Sequence, residues 1–429
     1  MCEDKLESVW LSKNLKLYRG TDPINPFDSN NEDKFYKNDI SHEIKKDDDS
    51  PIDSVDFKKI VKNESLKFIN NRFDNIVVLV GAGASVTNNE FKKDENGIAR
   101  TGVTVAKIAD EVLKELSNES YLLDKNTIDV FKLDEIANKS KYSDNILNGD
   151  ELNDEFNLEN FLSNILAYEK FVPEEDKEKF NNTKNAILDI IIKATSYNYD
   201  SNTFNHVKFL NVLSKLTKPE NKLNLVTTNY DTLLEDAAES MKWTVFDGFS
   251  FSQTPQFDST MFDWNLVKEV PNVKTNENIY KTNVVNLLKI HGSLTWERSE
   301  SGKNIIRHNK NSVRNPIMVF PSSNKYAQSY QEPYFDLFNK FQNLLHKPNT
   351  LLITTGFSFA DNHIARMIIS AIQTNDGLST LITDLKIESQ NSNWQELEKA
   401  MDNYYNIAFL KATLNDDLSD YLGGPMDDN

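Results

Sequence analysis

The stretch Ile76-Val77-Val78-Leu79-Val80-Gly81-Ala82-Gly83-Ala84-Ser85 decides the fold class. Its first five residues are apolar and mostly β-branched, which is typical of a strand buried on both faces. The glycines that follow allow a tight turn and a close approach of the backbone to a pyrophosphate, whose charge amide N–H groups can meet. Val86 stands where the dehydrogenase fingerprint has its third glycine, and no Gly-Lys-Ser/Thr follows as in a P-loop. A plain strand-to-helix turn therefore stays open as the alternative interpretation.

Outward from this stretch, strand patterns alternate with helical patterns. Further strands are predicted at Leu223–Val226, Val284–Ile290, Ile317–Phe320, Leu351–Thr354, Leu381–Leu385 and Ile407–Leu410. Helices are predicted at Thr232–Met241, Phe335–Leu345 and His363–Ile372, and four more lie between the first two strands. This alternation indicates an α/β protein with a Rossmann-like, mostly parallel sheet. The four consecutive helices predict a helical insertion, or subdomain, over roughly residues 100–220.

The first 60 residues differ in composition from the rest. The segment Asp22–Asp56 is rich in Asp, Asn, Lys and Pro, and cannot bury enough apolar area to form a core by itself. We therefore predict a polar N-terminal extension over residues 1–60. An arm on the surface of the domain or of a neighbouring subunit and a flexible tail are both open.

Charge and cysteine content exclude several classes of protein. The 429 residues carry 48 Lys plus Arg against 66 Asp plus Glu, for a net charge of -18, which argues against a general nucleic-acid binder. The single cysteine, Cys2, excludes a disulfide framework and a cysteine zinc site within the chain. The acidic start does not resemble a signal peptide, and no apolar run approaches the ~20 residues of a membrane span. We expect a soluble, cytoplasmic protein without a direct membrane partner.

Two further segments place polar side chains where a predicted strand ends. Val226-Thr227-Thr228-Asn229-Tyr230-Asp231 follows one strand, and Lys289-Ile290-His291-Gly292-Ser293 follows another. Parallel strands would deliver these side chains to the carboxyl edge of the sheet, where open α/β sheets bind ligands. Asn229 or Asp231 could instead cap the next helix, although capping accounts for only one of them. A histidine beside a glycine at a strand end can face a cleft and exchange protons.

The fourth motif runs from Thr354 to His363, with the sequence TTGFSFADNH. A strand, Gly-x-Ser-x-Ala and a helix match the nucleophile elbow of an α/β-hydrolase superficially. That triad continues with an acid and then a histidine along the chain. The one histidine after Ser358 is His363, which is too close to return as the base. The motif therefore argues against a serine hydrolase.

In this order, the four motifs resemble those of the sirtuin family. The segment Gly81–Ser85 corresponds to the family's Gly-Ala-Gly-x-Ser loop, and Thr227–Asp231 corresponds to its Thr-Gln-Asn-x-Asp motif. Lys289–Ser293 resembles its His-Gly element, and Gly356–Phe359 resembles its Gly-Thr-Ser element. The resemblance covers roughly residues 70–390 and implies a sirtuin-like NAD-binding domain over residues 61–429.

The sequence departs from protein-deacylating sirtuins in three ways. It has no Cys-x-x-Cys pair, so we expect no zinc ribbon; Thr87–Glu90 replaces the Pro-Asp-Phe-Arg stretch; and Thr228 replaces the glutamine. The segments Gly356–Ile364 and Leu158–Leu162 are similar to those of the bacterial defence-associated sirtuin-like branch. Within it, the chain is most similar to the sirtuin subunit of sirtuin–HerA antiphage complexes.

This resemblance implies an activity, partners and a site. NAD would be the substrate and no metal would be needed; hydrolysis would yield nicotinamide and ADP-ribose, and NAD depletion would act in antiphage defence. The implied partners are a HerA-type ATPase and further copies of the chain. The implied catalytic residues are Asn229, Asp231 and His291, and the implied NAD-binding residues are Gly81, Ala82, Gly83, Ser85, Thr228, Gly356 and Ser358.

Two alternatives stay open at the level of sequence. One is a protein that senses NAD or ADP-ribose and acts as a scaffold without turnover, since residues that cradle a ligand serve both roles. The other is an NAD-dependent protein deacylase. Release of nicotinamide without an acyl-lysine peptide separates the hydrolase from both.

Overall fold

The computed structural model describes residues 5–21, 33–39, 41–70, 73–87, 92–95, 97–143, 145–218, 220–270, 278–310, 312–313, 316–318, 332–388, 391–403 and 406–423. The strands are β1 Lys5–Ser12, β2 Lys16–Thr21, β3 Lys34–Lys37, β4 Asn75–Val80, β5 Ser120–Leu123, β6 Asn126–Asp129, β7 Leu147–Asn148, β8 Glu151–Leu152, β9 Leu223–Thr227, β10 Thr244–Phe246, β11 Val267–Glu269, β12 Asn278–Tyr280, β13 Val284–Lys289, β14 Gly292–Ser293, β15 Trp296–Arg298, β16 Ile305–Arg307, β17 Ile317–Met318, β18 Thr350–Thr355, β19 Leu378–Asp384 and β20 Ile407–Lys411. The helices are α1 Ser54–Ile69, α2 Val105–Glu115, α3 Leu133–Lys139, α4 Leu158–Tyr168, α5 Lys177–Thr195, α6 His206–Leu216, α7 Leu233–Ser240, α8 Tyr334–Leu345, α9 Asn362–Thr374, α10 Ser392–Asp402 and α11 Leu418–Tyr421.

Ten of these strands form one sheet in the order β10-β13-β9-β4-β18-β19-β20-β1-β2-β3. The pairs from β10 to β20 are all parallel, whereas β1, β2 and β3 join the β20 edge as antiparallel strands. Counted from β4, the order β13-β9-β4-β18-β19-β20 is the 3-2-1-4-5-6 order of a Rossmann sheet. The predicted α/β fold with a mostly parallel sheet is confirmed.

Helices cover both faces of the sheet, because successive apolar side chains of β4 point to opposite faces and both sets must be buried. Ile76, Val78 and Val80 point into a core shared with α1, α6, α7 and α11. Val77 and Leu79 point into a second core shared with α8, α9 and α10. A strand that buries every side chain reads as a continuous apolar run, which is how the sequence of β4 reads.

The first strands of the chain extend this sheet. In β1, Trp10 is opposite Leu410 of β20 and is only 2% exposed. Phe35 of β3 stacks on Phe57 of α1, with ring centroids 4.2 Å apart. The composition of residues 1–60 predicted a polar extension without its own core. The described strands bury their few apolar side chains in the core of the sheet instead, and α1 crosses residue 60.

The region between β4 and β9 carries a separate core, which runs from Val103 to Ala194 and joins α2, α3, α4 and α5. We call these residues the helical subdomain. The fourth predicted helix, α6, packs instead on the sheet with Phe209 and Leu213. The subdomain also contains the hairpins β5–β6 and β7–β8, which the helical patterns did not predict.

The predicted strand Ile317–Phe320 is described only as β17, and residues 319–320 lie outside the described residues. It pairs with β14 outside the main sheet, so its apolar pattern reflects a small separate ladder. Cys2 and residues 88–90 also lie outside the described part. Within the described ranges, the helices include none that is long and apolar enough to cross a membrane.

Candidate functional site

Two glycine loops meet where the order of the sheet reverses. The first glycine loop, Gly81–Ser85, follows β4, and the second, Gly356–Asp361, follows the neighbouring strand β18. The Gly83 N–H donates to the Gly356 carbonyl at 2.9 Å, and the Gly81 N–H donates to the Thr355 carbonyl at 2.9 Å. This crevice is the place where open α/β sheets bind their ligands.

The second glycine loop is held in an unusual backbone conformation. Gly356 has a φ of 62°, and Phe359 has a φ of 58°, which is rare for a bulky residue. The Phe359 side chain is fully buried, and its ring centroid lies 5.0 Å from that of Phe357 and 5.8 Å from that of Trp394. Packing therefore stabilises a loop whose backbone is locally strained.

A cavity of about 590 Å³ lies between these loops and the helical subdomain. That volume is within the ~300–1,000 Å³ typical of ligand pockets. Its sheet side carries polar groups from the ends of β9, β13 and β18, while the subdomain contributes an apolar wall. The wall residues are Val103, Val105, Ile108, Leu158, Leu162 and Ile191.

Asn229, Ser85 and Asp231 form one buried hydrogen-bond network. The Asn229 Nδ2 donates to the Gly81 carbonyl and to Ser85 Oγ, both at 3.0 Å. Ser85 Oγ donates to Asp231 Oδ2 at 2.7 Å, and the Leu233 N–H donates to Asp231 Oδ1 at 3.1 Å. Asn229 Oδ1 is buried and has no hydrogen-bond partner within the described residues. The network fixes the side chains of Asn229 and Asp231 and leaves Asn229 Oδ1 as an acceptor for a ligand.

His291 lines the same cavity as this network and lies two residues beyond Lys289, the last residue of β13. It is 6% exposed and lines the cavity, and its Nε2 is 3.5 Å from Asp361 Oδ2. Asp361 Oδ1 accepts the His363 and Ile364 N–H groups at 3.0 and 3.4 Å and so caps α9. Asp361 therefore presents one carboxylate oxygen to the helix end and the other to the imidazole.

Most of the predicted site residues meet in this cavity. The lining includes Ala82, Ser85, Thr228, Asn229, Asp231, His291, Gly356 and Ser358. Gly81 and Gly83 do not line it. Their N–H groups donate to carbonyls of Thr355 and Gly356, and the backbone at Gly356 packs against their Cα atoms. The hydroxyl of Ser85 is directed at Asp231, so this side chain orients a carboxylate as well as facing the cavity. The individual roles implied for these residues stay predictions.

Sequence reasoning assigned no role to several lining residues. Tyr197 is 3% exposed, and burial together with the nearby Asp231 charge raises the pKa of its hydroxyl. It lies beyond α5, where no motif indicated a site. Asp361 could have been found, since an aspartate just before a helix is a capping signal. The apolar wall of the cavity could not have been predicted, because helical periodicity shows which face of a helix is apolar but not whether that face packs on a core or lines a cavity.

Gly81 tests how closely the two loops must pack. A Cβ at this position would lie 2.4 Å from the Gly356 carbonyl oxygen and 2.8 Å from Phe357 Cα, so the backbone would have to move. We expect Gly81→Ala to lower the free energy of unfolding by about 1–3 kcal/mol in urea titrations. The control is Gly149→Ala, where φ is 69° and no atom lies within 4 Å, so only the backbone conformation costs stability. Equal losses in both variants would contradict steric packing at Gly81.

Comparison with known proteins gives a family match that covers part of the chain. A search of curated proteins found no match. Residues 223–409, which carry Asn229, Asp231, His291, Gly356 and Ser358, match the family described as SIR2-like domain. The first glycine loop lies before the matched range. The match supports a sirtuin-like domain in this part of the chain, of the kind whose members are NAD-dependent enzymes.

Proposed function

We propose that the protein hydrolyses NAD to nicotinamide and ADP-ribose. The observation that carries the proposal is the meeting of Asn229, Asp231 and His291 with two glycine loops in one cavity at the switch point of the sheet. The SIR2-like match supports NAD as the ligand of this cavity.

The chemistry asks little of a general acid. Cleavage of the bond between nicotinamide and ribose releases a neutral pyridine, and positive charge passes to the ribose in an oxocarbenium-like transition state. The Asp231 carboxylate can stabilise that charge, because Ser85 and the Leu233 N–H hold it in place without neutralising it. The unpartnered Asn229 Oδ1 can accept a hydrogen bond from a ribose hydroxyl or from the attacking water.

His291 is the candidate base, with Asp361 as its neighbour. An imidazole can accept a proton from water or from a ribose hydroxyl near neutral pH. The carboxylate of Asp361, 3.5 Å from Nε2, would stabilise the imidazolium that results. Contacts between catalytic groups are often long without substrate and shorten in the complex.

The pyrophosphate of NAD would lie against the glycine loops. Ala82, Ser85, Gly356 and Ser358 face the cavity and would contact the pyrophosphate and the adenosine half. Backbone N–H groups can bind an anion without a lysine or arginine side chain. This matters in a chain of net charge -18, which otherwise repels the dianionic pyrophosphate of NAD.

We further propose, from the resemblance of its motifs, that NAD depletion by this protein acts in antiphage defence. The proposed partner is a HerA-type ATPase, and the proposed state of the chain is a homo-oligomer in the cytoplasm. The acidic composition supports leaving DNA contacts to the partner. Co-purification of the two proteins, followed by light scattering, tests this assembly.

The test of the activity is chromatography of NAD incubated with the purified protein, alone and with the ATPase. We expect nicotinamide and ADP-ribose to appear in equal amounts, without any peptide. Binding of NAD without release of nicotinamide in either mixture would favour the sensor. Consumption of NAD only with an acetyl-lysine peptide would favour the deacylase.

A further inference from the structure

A buried ion pair lies directly behind the turn that carries Asn229 and Asp231. Lys289, the last residue of β13, is 2% exposed and is among the largest fully buried side chains of the described residues. Its Nζ is 3.0 Å from Glu235 Oε1, in the first turn of α7, and it also donates to the main-chain carbonyl of Asp231.

The fold itself does not explain a charge at this position. On the face of β13 that carries Lys289, the side chains of Val285 and Leu287 are apolar, and a hydrophobic pair in place of a buried ion pair is often neutral or stabilising. About a quarter of the Glu235 side chain is exposed, at 26%, but Oε2 is buried and has no hydrogen-bond partner among the described residues. Burial raises the pKa of the Glu235 carboxyl, and the Lys289 charge opposes this rise. The pair is therefore costly to bury.

The contacts of Lys289 connect the two strands that carry the catalytic candidates. Lys289 is opposite Thr227 in the register of β13 and β9, and His291 follows two residues later. By holding the Asp231 carbonyl, Lys289 fixes the turn after β9 relative to the end of β13. Glu235 in turn fixes the Lys289 head from α7. The buried ammonium group thus links the Asn229–Asp231 turn to the strand that carries His291, in addition to the backbone hydrogen bonds from the Ile290 N–H to the Thr227 carbonyl and from the Leu294 N–H to the Tyr230 carbonyl.

We propose that Lys289, held by Glu235, is a positioning residue that sets the relative placement of Asp231, Asn229 and His291. This inference rests on the proposed function of the same site. A misplacement of about 1 Å in a catalytic group can cost ~10²-fold in rate, so a modest shift of the turn would be visible in kcat. The residue acts through the backbone of Asp231 and does not line the cavity.

The test is the double substitution Lys289→Met and Glu235→Leu in the full chain, measured by nicotinamide release and by urea unfolding. We expect kcat to fall at least about tenfold, with a smaller change in KM and no loss in the unfolding midpoint. The matched control is Lys208→Met with Asp420→Leu, a pair 2.8 Å apart on α6 and α11, for which we expect the parental kcat. Parental kcat in the Lys289 and Glu235 double variant would overturn the assignment. Should that variant fail to fold, Lys289→Arg keeps the charge but moves the donor, and parental kcat there would overturn it equally.

Calorimetric binding of NAD separates this inference from the proposed function. If the parental protein binds NAD without cleaving it, the proposed hydrolase is overturned. The role of Lys289 is then tested by the affinity for NAD: weaker binding by the double variant supports the inference, and equal binding overturns it. A parental protein that neither binds nor cleaves NAD overturns both. An active parental protein with an equally active double variant overturns the inference alone.

Discussion

Replacing His291 by alanine is expected to reduce NAD turnover by about 10²- to 10⁴-fold, the usual loss when a general base is removed. The imidazole lines the cavity at the end of β13 beside Asp361, whereas His363 of α9, which also lines the cavity, packs against Phe338 with ring centroids 4.8 Å apart. The protein should remain folded, since the site retains its glycine loops and its network around Ser85. Nicotinamide release and thermal unfolding are to be measured on the same samples.

The control for this prediction is His308→Ala. His308 is partly exposed and its Nε2 is 3.6 Å from Glu297 Oε2, away from the residues that line the cavity. We expect parental turnover in that variant. A His291→Ala protein that released nicotinamide at the parental rate would remove His291 from the catalytic site, and a loss of turnover in both variants would point to a general effect of histidine removal.

The architecture of the sheet could be predicted because its strands are buried on both faces. β4, β9, β13, β18, β19 and β20 each contain a short apolar run that predicts a strand, and the structure contains each of them, although β19 begins at Leu378, three residues before its predicted start. The edge strands were harder to predict. β10 has three residues and β3 has four, and β1 and β2 mix charged and apolar residues without a regular alternation, so their sequences do not mark them clearly as strands.

Only those parts of the site that directly follow predicted strands could be predicted from the sequence. Parallel pairing brings Gly81, Asn229 and Gly356 to the same edge, and a strand order of the Rossmann type makes β4 and β18 neighbours. What the chain does between strands is not encoded in such patterns. The position of the helical subdomain over the cavity, and the contact of Lys289 with a carbonyl 58 residues away, depend on tertiary packing. These long-range contacts account for the site residues that the motifs missed.

Replacing Asn229 by alanine is expected to abolish NAD turnover and also to loosen the first glycine loop. The amide has two separable tasks: Nδ2 holds the Gly81 carbonyl and Ser85 Oγ, while Oδ1 is the buried acceptor that a ribose hydroxyl or a water would meet. Loss of Nδ2 leaves the Gly81 carbonyl without that donor, for which we expect a loss of about 1–3 kcal/mol in the free energy of unfolding. Loss of Oδ1 removes a contact to the reacting groups, and we expect this loss to lower kcat by about 10²- to 10⁴-fold.

A second buried asparagine, within β9 itself, separates stability from catalysis. Asn224, near the amino end of β9, is 6% exposed and donates to the Ile76 carbonyl at 3.3 Å, and its Oδ1 accepts from Asn286 Nδ2 at 3.0 Å. Asn224→Ala should therefore lose a similar amount of stability in urea titrations while it keeps the parental kcat at a temperature where both variants are folded. If Asn224→Ala loses turnover to the same extent as Asn229→Ala, the effect belongs to the stability of β9. If only Asn229→Ala loses turnover, the amide acts on NAD itself, because the two substitutions remove the same chemical group, one from β9 and the other from the turn that follows it.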